Sequence, residues 1–416
     1  MYLELNTDAT PEAATLREET HRFAAEVIRP AAIALDKLSP EEVIAPGSAL
    51  WDVFRKAYEN GYHLRGLPPE MGGPGLGSLE AHIVGEEMGW ASGGLAISLS
   101  VTAFPFLFAA RFAALTGNQD LMKEIVTPYV EDREGKYIGC WAITEPEHGS
   151  DSLICGTEQF GDADITFDVQ ARPDGDEWVI NGQKAAWVSN GTIATHACTF
   201  LTVDRSRGMN GGGVAVIPLD LPGVSKSPPL NKIGQRDLNQ GEIFFDDVRI
   251  PKHYMLVGPE LYPAVIDGIL AGANAAMSNT FTGLARAAFE EALAYTRQRV
   301  QGGKPICEHQ LVQDRLFQMF RKVESARALS RAASLYNRAG VGLPATEYSI
   351  AAKVHCTQIA FEVASDAIQL MGGYGLSAEF HVEKLFRDAR ASMIEDGCNE
   401  VLGLAAARRI VDGYTV

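Results

Sequence analysis

The chain has 416 residues, 46% of them hydrophobic and 21% charged, and carries a formal net charge of −17. That length suits two or three domains with substantial cores and excludes a small stapled scaffold, while the acidic balance argues against nucleic acid, which is bound through a basic face that releases counterions. Six cysteines show neither a Cys-x-x-Cys pair nor a Cys/His zinc spacing, so no metal site is expected and the thiols read as reduced, pointing to a cytoplasmic chain.

The N-terminus carries acids and lacks an apolar core behind basic residues, so no signal or transit peptide is expected. Residues 1–137 read as an all-helical domain. Leu16, Phe23 and Val27 recur near helical spacing ahead of Pro30, and "LPPEMGGPGLGS" (67–78) is a Pro/Gly loop. The uncharged run Gly93 to Ala110 is nearly long enough to span a bilayer, but its Ser, Thr, Gly and Pro content suits a buried helix or a pocket wall better, so no membrane span is expected.

From 138 to 253 the texture changes to short β-branched and aromatic runs such as "EWVING" and "GEIFFDDVRI". They predict a middle antiparallel β domain, a barrel or sandwich, with turns at "PDGD" (173–176) and Asn181-Gly182. Residues 254–416 read as a C-terminal bundle of four or five helices, in which Leu316, Met319, Phe320 and Val323 mark one buried face. The fold class is therefore α+β, multi-domain, and no Walker loop or Rossmann strand-glycine-helix unit accompanies it.

Five stretches, "CWAITEPEHGSD" (140–151), "NGQKAAWVSNG" (181–191), "KIGQRDLNQGEIFFDDVRIP" (232–251), "RQRVQGGKPICEHQ" (297–310) and "QLMGGYGLSAEFHVEKLFRDAR" (369–390), carry a resemblance in order and spacing. With them the chain resembles the acyl-CoA dehydrogenase flavoproteins over nearly its whole length. The resemblance implies FAD as cofactor, an acyl-CoA substrate, a homotetramer built as a dimer of dimers, and an electron-transferring flavoprotein as partner. It implies that Trp141, Thr144 and Ser150 line the isoalloxazine, with Ser150 also reaching the phosphate or CoA arm. Trp187 and Ser189 match a Trp-x-Thr that packs on the flavin and hydrogen-bonds near N5, and Ser keeps the hydroxyl. Ile143, Gly149 and Asn399 complete that set. Arg299, Gln310, Gln369, Gly372 and Gly373 match positions that reach the FAD of a neighbouring subunit, where a guanidinium suits a diphosphate. Gly397 and Asn274 join Ser150 as substrate-binding positions. Read from composition alone, Trp187 is a half-buried strand aromatic and Arg299 a solvated helix end.

The implied reaction is α,β-dehydrogenation of a thioester: a carboxylate takes the α proton while the β hydride goes to flavin N5. An FAD ribose hydroxyl and the backbone N–H of the base residue hold the thioester carbonyl. The family signature Tyr-Glu-Gly-Thr corresponds here to Glu395-Asp396-Gly397-Cys398, which puts Asp396 in the place of the catalytic glutamate. Aspartate is one methylene shorter, drawing the carboxylate back by roughly 1.5 Å, and the room gained would suit a bulky, cyclic or branched acyl group. Two other readings stay open on the residues: Asp396 as N-cap of a helix starting near Asn399, or Glu395 as the base.

Several positions depart from the family. Ala273 stands where a subset carries its base, Asn274 where an Arg supports it, and Gly302 where a Phe lies near the flavin. "TEPEHGSD" resembles the glutaryl-CoA branch, but Leu95 stands near the Arg that holds the distal carboxylate there, which argues against decarboxylating chemistry. The alternatives to dehydrogenation are a nitroalkane oxidase, for which Gly403 stands near an expected Arg, and a non-catalytic flavoprotein.

Overall fold

A computed structural model describes residues 2–6, 9–338 and 344–415, and its order is helices, sheet, helices. The first helix, Pro11–Phe23, has Thr10 as N-cap and Pro11 at its start, where a missing N–H costs nothing. It does not stop at Pro30. A π segment, Ala24–Ile28, runs into Arg29–Leu35 with helical backbone throughout, and this widened turn takes Pro30 without ending the helix. The apolar run folds as two helices, Gly93–Val101 and Phe104–Thr116. By length and composition the segment Gly93–Thr116 passes for a membrane span, but 78% of its most apolar window is buried inside the protein.

The sheet comprises β1 (Gly139–Ala142), β2 (Gln170–Asp174), β3 (Glu177–Ser189), β4 (His196–Thr202), β5 (Gly212–Pro218), β6 (Val224–Lys226), β7 (Gln240–Pro251) and β8 (Met255–Val257). The order across it is β6-β7-β3-β1-β4-β5-β8, with β2 pairing both β3 and β4. Most pairs are antiparallel as expected, but β1 and β2 each run parallel to β4, so the sheet is mixed. Topology forces this: β1 is inserted between β3 and β4, which run in opposite directions, so it must be parallel to one of them.

The predicted turn at "PDGD" joins β2 to β3, with Gly175 at φ 60°. The second predicted turn, at Asn181-Gly182, is instead a bulge inside β3, where the register to β7 shifts. Gly182 takes φ 129° there, and a Cβ on it would lie 2.8 Å from the Val169 backbone. Asn181 and Asp247 of the facing strand hydrogen-bond reciprocally across the bulge, so the residues that signal a turn are used to bend a long strand.

The C-terminal part is built on three long helices, Tyr262–Gln298, Gln310–Arg338 and Thr346–Met371, followed by Val382–Ser392 and Asn399–Gly413. Met319 and Val323 are buried in it as expected, whereas Phe320 is 48% exposed. Where the three parts meet lies a buried polar node. Asp237 of the sheet part accepts from Ser92 Oγ of the first part and from Lys384 Nζ of the last, at 3.3 Å, and Lys384 also pairs with Asp388. Gly94 makes this approach feasible, since a Cβ there would sit 2.3 Å from an Asp237 carboxylate oxygen.

Candidate active site

The helix Val382–Ser392 ends in a turn over 393–398 that leads into Asn399–Gly413. Asp396 takes φ 52° and Gly397 φ 92°. Asp tolerates the left-handed region better than most residues, and glycine adopts it without strain. A Cβ on Gly397 would also come within 2.9 Å of Leu402 and 3.1 Å of Leu153. The turn is held from three sides. The N–H of Cys398 donates to Ser150 Oγ at 2.9 Å, that of Asn399 to the Met393 carbonyl at 3.0 Å, and Lys353 Nζ to the Gly397 carbonyl at 2.8 Å and Asn399 Oδ1 at 2.9 Å.

The N-cap of the last helix is Cys398, and no side chain caps it. Asp396 is therefore not the cap. Among the described residues its carboxylate has no hydrogen-bond donor, and solvent reaches it although protein surrounds the loop. That crowding raises its proton affinity by desolvation, and the Lys353 ammonium pulls the other way. Glu395 faces inward and accepts a hydrogen bond from Gln235 Nε2. Burial pushes it up to about 7, with the Asp396 charge acting in the same direction and Gln235, Lys232 and Lys353 opposing. Burial in turn pushes Lys353 down to about 8, against the pull of Asp396 and Glu395.

The sheet supplies a wall. Trp141 of β1 lies opposite Ser189 of β3, and its ring packs between Phe104 and Phe200. The Thr144 carbonyl accepts from the Ala185 N–H at 2.9 Å, and the buried Ile143 gives its carbonyl to Lys184 Nζ. Between Lys184 and Val188 the pairing with β7 shifts, Ala186 takes φ 25°, and Trp187 stands out from the sheet 57% exposed. Ser189 Oγ accepts from Gln240 Nε2 at 3.1 Å. Gln240 can present only its amide nitrogen there, because its Oε1 is taken by Lys232 Nζ at 2.8 Å. The Ser189 proton is thus free to donate elsewhere. Gly149, which precedes Ser150, is held by its N–H donating to Asp151 Oδ1 at 2.6 Å.

Beside this wall Glu145, His148 and Asp168 bring their ligand atoms within 4.8 Å of one another. The Glu145 carboxylate is already held by Lys184 Nζ and by the N–H groups of Asp168 and Val169, so it reads as a closed buried ion pair.

The remaining expected residues form a second, exposed group. Arg299 ends the helix Tyr262–Gln298, its guanidinium 5.8 Å from the Tyr374 ring centroid, next to Gly372 and Gly373. The Ile306 N–H donates to the Arg299 carbonyl, and the hairpin this closes leads to Gln310. Gln310, Gln369, Gly372 and Gly373 are all exposed, and nothing lies within 4 Å of where a Cβ on either glycine would be. Asn274 belongs to neither group: it is fully buried, with Nδ2 on the Leu270 carbonyl of its own helix and Oδ1 without a partner among the described residues.

Family models for the N-terminal, middle and C-terminal domains of acyl-CoA dehydrogenase match residues 10–130, 140–248 and 265–411. The chain belongs to the acyl-CoA dehydrogenase family. It is 31% identical to the short-chain specific acyl-CoA dehydrogenase of Rattus norvegicus mitochondria, over 96% of this chain and 90% of that one. It is 32% identical to the cyclohexane-1-carbonyl-CoA dehydrogenase of Geobacter metallireducens, over 97% and 98%. Its fold superposes on a glutaryl-coenzyme A dehydrogenase in complex with glutaryl-CoA with a TM-score of 0.84 at 27% identity, covering 99% of this chain and 97% of that one. As a member of the acyl-CoA dehydrogenases it is an oxidoreductase acting on acyl-CoA.

Lys353, Gln235, Lys232 and Gln240 escape the reading of this acyl-CoA dehydrogenase from sequence. Lys232, Gln235 and Gln240 lie within a quoted motif, yet nothing in the string says which of its polar residues turn inward. A lysine at helical spacing among apolar residues, as in "SIAAKVHC", is the one available signal for Lys353, since an unpaired ammonium is rarely fully buried.

Proposed function

We propose that this protein carries out FAD-dependent α,β-dehydrogenation of an acyl-CoA thioester, with Asp396 as the base that removes the α proton. One observation carries the assignment: among the described residues the Asp396 carboxylate accepts no hydrogen bond, while the backbone around it is held by Lys353 and Ser150. A base held this way is ready to accept a proton, and desolvation strengthens its affinity for one. Among the described residues the backbone N–H of Asp396 has no acceptor, which makes it the candidate donor to the thioester carbonyl.

The residues present fit FAD. Trp187 offers an exposed aromatic face, Ser189 a hydroxyl proton, and Arg299 with Gly372 and Gly373 an exposed cationic and unobstructed backbone surface. Bound FAD supplies the hydride acceptor. By resemblance the second group reaches the FAD of a neighbouring subunit, so a complete site would draw on two copies. Val300, Leu311 and Tyr374, exposed beside the second group, suit burial against a second copy within a homotetramer. As electron acceptor we infer an electron-transferring flavoprotein.

For the acyl group we propose a bulky, cyclic or branched chain. The shorter Asp396 side chain supports it, as does the likeness to a protein named for cyclohexane-1-carbonyl-CoA. Anaerobic titration of the FAD-loaded protein with straight-chain and cyclic acyl-CoA esters tests both parts. Bleaching by cyclic esters at lower concentration is expected. Bleaching by straight chains alone removes the substrate reading, and rapid reoxidation in air with nitrite released from a nitroalkane replaces the dehydrogenase reading.

A further inference from the structure

Next to the base is a second acid that the dehydrogenation does not consume. Glu395 is held by Gln235, whose backbone at φ 47° lies in the left-handed region and whose side chain is 2% exposed. The Gln235 N–H donates to Asp388 Oδ1, and Asp388 is paired with Lys384, which also reaches Asp237. The clamp on Glu395 is thus anchored in the node that joins all three parts of the chain. The two cations nearest Glu395 are committed elsewhere: Lys232 to the Leu238 carbonyl and Gln240, Lys353 to the Gly397 carbonyl and Asn399. Among the described residues no cation forms an ion pair with it.

The identity of that partner matters. An arginine at the position of Gln235 would lock Glu395 in its ionised form, because a guanidinium stays charged at any working pH. A neutral amide donates to a carboxyl oxygen in either protonation state. Glu395 is therefore free to titrate, with Asp396 next to it in the chain and Gln235, Lys232 and Lys353 acting on it from other elements.

Resting on the assignment of Asp396 as base, we propose that Glu395 is a positioning residue whose charge sets the basicity of Asp396, so that proton abstraction follows two linked carboxyl ionisations. An ionised Glu395 raises the proton affinity of Asp396 by like-charge repulsion, making it the stronger base, and a protonated Glu395 relaxes it. Burial places the Glu395 step at about 7.

The experiment is anaerobic flavin reduction by an acyl-CoA panel from about pH 5 to about pH 9, in the parent, E395Q and Q235M. The parent is expected to rise in two steps. E395Q is expected to lose the upper step, with a rate at alkaline pH lowered by a factor on the order of ten. Q235M removes a donor that stabilises the ionised form, so its upper step moves to higher pH; a merely structural role would change amplitude without moving the step. A readout without turnover runs beside it. A carboxyl raised in the folded state binds its proton more tightly there than when unfolded, so stability falls as pH rises from the ordinary glutamate value towards 7. The parent's Tm should drop across that window more than that of E395Q. Superimposable pH profiles for parent and E395Q, or an equal Tm drop in both, overturn the proposal while leaving Asp396 as base. Should E395Q fail to fold, an unmoved step in Q235M overturns it. Absence of bleaching in the parent by every thioester at every pH overturns the dehydrogenase reading itself.

Discussion

The turn over 393–398 and the exposed patch around Arg299 differ in how far one chain completes them. The turn is held by its own protein: Lys353, Ser150 and Gln235 each satisfy a group in it, and among the described residues the Asp396 carboxylate accepts no hydrogen bond. The patch offers a guanidinium, two amides, two glycines and apolar side chains to solvent. Atoms that act on a substrate are worth fixing within the fold, because an error of about 1 Å can cost on the order of 100-fold in rate. Groups that recognise a diphosphate or another copy gain their partners only on binding.

The sharpest test of the closed half is D396N, which should lower the rate of flavin reduction by about 1,000-fold or more, read by stopped-flow absorbance under anaerobic conditions. If E395Q rather than D396N gave that loss, the base would be Glu395. Lys353→Met should cost about 1–3 kcal/mol of stability, measured by denaturant unfolding, because the buried Gly397 carbonyl loses its donor. It also removes the cation that holds the Asp396 proton affinity down, so the acid limb of kcat/KM should move to higher pH.

For the open half, R299Q should weaken FAD retention without lowering the Tm of the FAD-free protein, as read by flavin release on gel filtration. Mixing R299Q with D396N subunits should restore part of the activity if each site draws Arg299 from a neighbour, and no recovery would place the whole site in one chain. The smallest effect is expected from S189A. Loss of one hydroxyl whose oxygen Gln240 already holds should cost about 1 kcal/mol, roughly fivefold in rate, and S189T should restore it.

Local chemistry accounts for how much could be read from the sequence. Period and turn residues suffice for the helical ends and the "PDGD" hairpin, because both depend on neighbours along the chain. Asn181-Gly182 carries the same turn signature, and only its pairing with Asp247 on a strand 66 residues away turns it into a bulge. Phe320 keeps helical spacing with buried residues yet lies exposed, since periodicity defines an apolar stripe and leaves its edge to the packing partner. The motif shows two acids side by side; that Asp396 is exposed in a left-handed turn while Glu395 is held by Gln235 depends on Gln235 arriving from another part of the chain.

By itself, then, the sequence determined the order of helices, sheet and helices and the family, both of which depend on residue type and spacing. The tertiary structure alone decided that Cys398 rather than Asp396 caps the last helix, and that Lys353 and Gln235 divide two adjacent carboxyls into an open one and a held one. Those outcomes depend on which buried polar groups find each other across the chain, a matter of three-dimensional proximity that no local pattern encodes.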